Sequence, residues 1–81
     1  RHVCLRFSDA LAGAVVDRFG SELTFHDAGG GAFQVTVPVA ISPQFFGWIA
    51  SLGGDVLVEE PAEVKEEYRE FLNNIISKMS L

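Results

Sequence analysis

The chain has 81 residues, enough for one domain, and its 48% hydrophobic content with seven Phe and one Trp excludes intrinsic disorder. A chain this short buries only about 60–65% of the surface its unfolded form exposes, so its core is modest. Six Lys plus Arg against eleven Asp plus Glu leave a net charge of −5, which disfavours direct binding of DNA or RNA by this chain alone.

Residues 2–7 alternate strictly, with Val3, Leu5 and Phe7 on one side, and predict a half-buried strand. Ser8 then offers an N-cap and Asp9 an acidic first turn for a helix over residues 9–19, where Leu11, Ala12, Val15, Val16 and Phe19 share one arc. Gly20 stands where such a helix ends. Residues 21–27 alternate again, Leu23 and Phe25 inward and Glu22, Thr24 and His26 outward. The turn Asp27-Ala28-Gly29-Gly30-Gly31 predicts a hairpin, and Phe33, Val35, Val37 and Val39 form the inner side of the returning strand. Pro38 cannot donate to a ladder, so it is expected past the end of its neighbour or at a bulge.

Ser42-Pro43 opens a second helix carrying Phe45, Phe46, Ile49 and Leu52, which Gly53-Gly54 ends. Val56, Leu57 and Val58 make a short last strand. After Glu60-Pro61 a third helix repeats Val64, Tyr68, Phe71, Leu72, Ile75, Ile76 and Met79 on one face. The expected fold is α+β: a ferredoxin-like βαββαβ four-stranded antiparallel sheet in spatial order 4-1-3-2, two helices on one face, and an additional C-terminal helix. Residues 1–81 are expected to form this single domain, and because the first residue is Arg1 rather than Met the chain reads as a piece of a longer protein.

Catalysis is not expected. His2 and His26 are the only histidines, both on the sheet face away from the helices, and nothing beside Cys4 and His26 supplies an oxyanion hole. His26 and Asp27 point to opposite sides of a strand and make a poor metal pair. The single cysteine excludes an internal disulfide framework. Glycines 29–31 join two strands rather than opening a helix, so they are a hairpin and not a phosphate loop. No cofactor or metal is expected. No apolar run approaches the ~20 residues that span a bilayer and no signal-peptide pattern opens the chain, so a cytoplasmic protein without a membrane partner is expected.

The outer sheet face reads Cys4, Arg6, Thr24, His26, Gln34 and Thr36. It lacks the exposed aromatic rings on which RNA-recognition modules stack bases. Its bland reading is a solvated surface, with Arg6 paired to Glu22 or Glu59 across the sheet. Its functional reading is a docking or effector-contacting face formed by Arg6, Thr24, His26, Gln34 and Thr36, where the guanidinium suits a carboxylate or phosphate. The third helix has more apolar surface than the polar sheet face can answer, so Tyr68, Phe71 and Met79 are candidate dimer contacts, set against packing within the domain.

In order, Leu5-Arg6-Phe7, Val15-Val16-Asp17-Arg18-Phe19-Gly20, Val35-Thr36-Val37, Ser42-Pro43-Gln44-Phe45-Phe46-Gly47-Trp48-Ile49 and Leu52-Gly53, followed by Val56, Val58, Pro61 and Val64, carry a family resemblance. Over about residues 3–79 the chain resembles the C-terminal extension (WCX) domain of bacterial WYL-domain helix-turn-helix transcriptional regulators. The resemblance implies upstream helix-turn-helix and WYL domains as partners in the same chain, a homodimer, and DNA contact only through the parent chain. It implies a regulatory and dimerisation role that relays effector sensing by the WYL domain, with the effector unidentified. The alternative is a stand-alone ferredoxin-like sensor of small molecules, of the amino-acid-binding type.

Overall fold

Alternation along β1 (His2–Ser8) sends Val3, Leu5 and Phe7 into the interior and leaves Cys4, Arg6 and Ser8 half-exposed on the other side, in the computed structural model, which describes residues 1–79. Its neighbour β3 (Ala32–Pro38) supplies Phe33, Val35 and Val37 to the same interior, in a register that sets Arg6 opposite Gln34 and Cys4 opposite Thr36. With β2 (His26–Gly29) and β4 (Val56–Glu60) these form one sheet in the order β2-β3-β1-β4, every neighbouring pair antiparallel. That is the expected 4-1-3-2 arrangement.

The helices cover one face. From α1 (Ala12–Phe19) Val15 is buried, from α2 (Pro43–Ser51) Phe45, Phe46 and Ile49, and from α3 (Ala62–Met79) Val64. All five join the strand residues in one core cluster. Each such side chain contributes roughly 1.5–3 kcal/mol by leaving water. The Ser42 side chain caps α2, its Oγ accepting from the Phe45 N–H at 3.2 Å.

Three local expectations are corrected. The first helix does not start at residue 9: Asp9–Leu11 is a 3₁₀ turn, Ser8 makes no side-chain cap, and the Asp9 N–H donates instead to the Gly31 carbonyl at 2.9 Å. The helix start is thereby tied to the hairpin. The second strand does not occupy residues 21–27: it begins at His26, after the chain has returned from the end of α1 to the sheet margin. Phe25 is therefore outside the ladder and 39% exposed rather than buried in the core. The last strand runs two residues further than expected, to Glu60, with an irregularity in its pairing opposite Cys4 and Leu5.

Pro38 is accommodated by register. Arg1 and Val39 exchange hydrogen bonds at 3.0 and 2.8 Å, so the neighbouring His2–Pro38 pair is of the non-bonded type. The missing N–H therefore points away from β1, toward the side where β2 reaches only as far as the His26–Gln34 pair. The hairpin turn needs its glycines: Gly29, Gly30 and Gly31 have φ of +79°, +61° and +79°, and Asp27 Oδ1 accepts from the Gly29 N–H at 2.8 Å.

Candidate functional site

The face of the sheet away from the helices is built by alternation along three strands. Arg6 sits at the middle of β1, flanked in register by Gln34 on β3 and Leu57 on β4. The pairing of β1 with β4 steps from Leu5–Val58 to Cys4–Glu60, so Glu59 is an extra residue in β4 with no direct partner. The step brings its carboxylate over Arg6: Glu59 Oε1 lies 2.7 Å from Arg6 Nε and accepts from Gln34 Nε2 at 3.3 Å. Arg6 Nε is buried and makes no aligned hydrogen bond, so the contact is an ion pair held by proximity. The side chains are 41% and 28% exposed.

Of the residues read from sequence as this face, the structure brings Arg6 and Gln34 together. His26 stands opposite Gln34 and Thr36 opposite Cys4, both exposed. Thr24 lies in the irregular segment before β2 and is not part of the sheet. Leu57, 55% exposed, belongs to the face and was not assigned to it, while Glu59 is one of the two partners that the bland reading offered Arg6, and the structure selects it over Glu22. Alternation of Val56 and Val58 inward was the signal for Leu57.

Beside Arg6 is a cavity of about 210 Å³, lined by Ser8, Gly30, Gly31, Gly54, Asp55 and Leu57 among others. Its single acid, Asp55, and the paired state of Arg6 leave it without a net positive lining. Cys4 and His26 are separated by β3, which puts about two strand spacings of 4.8 Å between their backbones. Among the described residues no group of three or more His, Cys, Asp or Glu side chains is placed to hold a metal.

The candidate dimer residues divide. Tyr68 and Phe71 are half-buried against Phe46, with ring centroids 5.4 and 5.5 Å away. Burial pushes the Tyr68 phenol above its ordinary pKa. Met79 is 75% exposed. Of the described residues, no helix is long and apolar enough to cross a membrane.

A four-stranded sheet in this order, with two crossover helices on one side and an open polar face on the other, defines a ferredoxin-like α+β domain. The family model of the WCX domain matches residues 1–75, and the chain belongs to the WCX domain family, a family of regulatory domains. Comparisons with curated proteins and with solved structures found no match.

Proposed function

We propose that this chain is the C-terminal regulatory and dimerisation module of a bacterial WYL-domain helix-turn-helix transcriptional regulator, acting in the cytoplasm without catalysis of its own. It relays the state of the upstream WYL domain, and DNA is contacted by the parent chain. Membership of the WCX family supports the role, and the net charge of −5 fits a module that leaves DNA to other domains. The observation that carries the relay is the Arg6–Glu59–Gln34 cluster: one carboxylate oxygen ties three strands together on an uncovered face. Because Glu59 already answers the charge of Arg6, a docking partner meets a neutral hydrogen-bonding surface, or replaces Glu59 with its own carboxylate or phosphate. Arg6→Ala and Glu59→Gln in the full-length regulator test this. Relay predicts lost or constitutive promoter response with the fold intact. Promoter response equal to wild type across effector concentrations rejects the face as a relay surface.

The second reading is a stand-alone sensor. The 210 Å³ cavity at Arg6 favours it, being below the roughly 300–1,000 Å³ of drug-sized pockets and suited to a ligand the size of an amino acid. Calorimetric titration of the chain with free amino acids separates the two, since only the sensor reading expects heat that Arg6→Ala removes.

A further inference from the structure

Two cavities flank α3, and the charges of the helix are sorted between them. On one side Glu67 and Glu70 line a cavity of about 420 Å³ against α2. On the other, against β4, lies a cavity of about 360 Å³ to which α3 contributes Lys65 and Arg69 and no carboxylate. These two cations stand one turn apart, and Leu72 and Ile76 continue the same side of the helix. In a chain of net charge −5 that is a local reversal of sign. The Lys65 side chain makes no hydrogen bond or ion pair among the described residues, and Arg69 meets Glu66 at 3.6 Å with both side chains exposed. Glu59, the one acid in the lining, is already held by Arg6 and Gln34.

We propose that the groove between β4 and α3 binds a small amphipathic carboxylate, its anion held by Lys65 and Arg69 and its apolar body lying along Leu57, Leu72 and Ile76. The volume is that of a small-molecule site, roughly 300–1,000 Å³, and the lining has the composition of one: mostly apolar, with few polar groups. Val56 and Val58 are buried, Tyr68 and Leu72 half-buried, and Leu57 and Ile76 are 55% and 59% exposed, so an apolar occupant removes from water surface that the chain itself leaves open. Charge selects an anion, since the cations in the lining are open to a new partner and its acid is not. Ile76 lies about 10 Å beyond Arg69 along the helix, a distance that suits a medium-length alkyl chain behind the carboxylate. The site does not depend on the relay role of the Arg6 face.

Calorimetric titration of the 81-residue chain with decanoate at pH 7, below its micelle concentration, tests the proposal. One-to-one binding is expected, with acetate and decyltrimethylammonium both failing, the first for want of an apolar body and the second for the sign of its charge. Lys65→Glu and Arg69→Glu are each expected to raise the decanoate Kd about ten-fold or more. Lys78→Glu changes the net charge equally but lies outside the groove, and leaves the Kd unchanged. Ile76→Asn weakens binding, whereas Ile75→Asn, on the side of the other cavity, does not. All five positions are exposed, so circular dichroism of the variants should match the wild type. Amide shifts in the NMR spectrum on adding decanoate should centre on residues 56–59 and 65–76. Absence of decanoate binding at millimolar concentration overturns the site, and equal binding of decyltrimethylammonium overturns its recognition of an anion. A Kd indifferent to both Lys65→Glu and Arg69→Glu, or shifts centred on Ile41–Phe46 instead, overturns the assignment to this groove.

Discussion

Phe25 lies flat on Phe33, ring centroids 5.0 Å apart and planes 6° from parallel, although Phe25 belongs to no strand. Phe33 stacks in turn on Phe7 at 5.4 Å, and Phe7 meets the edge of Trp48 at 6.2 Å. The outer ring of this stack is the lid of the core at the β2 margin, closing a side that the short second strand leaves open.

A lid and a core residue differ in cost. Phe25→Ala is expected to destabilise by about 0.5–1.5 kcal/mol, the worth of an aromatic pair at a partly exposed site. Phe33, 6% exposed, should cost about 3–5 kcal/mol on the same change. Urea denaturation of the two variants gives the comparison, and equal losses would mean that residues 20–25 are packed as a strand after all.

The Arg6–Glu59 pair is expected to add little to stability. At 41% and 28% exposure its coupling in a double-mutant cycle should be about 0.2–1 kcal/mol and fall with added salt. A coupling above about 3 kcal/mol would identify it as a structural keystone, leaving regulation to other residues.

Tyr68 gives the domain an alkaline weakness. Its phenol titrates above the ordinary 10.0 because burial disfavours the charged form. The folded state therefore holds the proton more tightly than the unfolded one. The stability this confers is full below pH 10.0 and is lost as pH rises through the raised value. Tyr68→Phe has nothing to titrate, so its stability should fall less steeply above pH 10 than that of the wild type in parallel denaturation series.

Two glycines with open space around them should respond oppositely. Gly47 lies inside α2 with no atom within 4 Å of an added Cβ, so Gly47→Ala should stabilise by about 0.4–1 kcal/mol. Gly30 has equal room but a φ of +61°, so Gly30→Ala should destabilise by about 1–2 kcal/mol. Thermal unfolding of both reads the signs directly. A stabilised Gly30→Ala would show that the hairpin turn is built differently.

Alternation and helical spacing are local properties, written by which side of an element must leave water. They determined the seven main elements, the buried sides of β1 and β3, the apolar stripe of α2, and hence the sheet order, since few topologies accommodate those elements in that succession. They also placed Arg6 and Gln34 on one polar face before any contact was known. Tertiary structure alone decided how far each strand is paired. Residues 21–25 alternate as well as any strand, yet they lie outside the ladder because the chain spends them returning from α1. For the same reason Thr24 and Phe25 lost the places their pattern assigned. The polar face offered Arg6 either Glu22 or Glu59, and the choice of Glu59 came through an extra residue in β4, a shift of register that depends on two strands meeting. The apolar repeat of α3 runs unbroken to Met79, but where the sheet stops, and so where that repeat passes from core to open surface, is set by the length of the neighbouring β4.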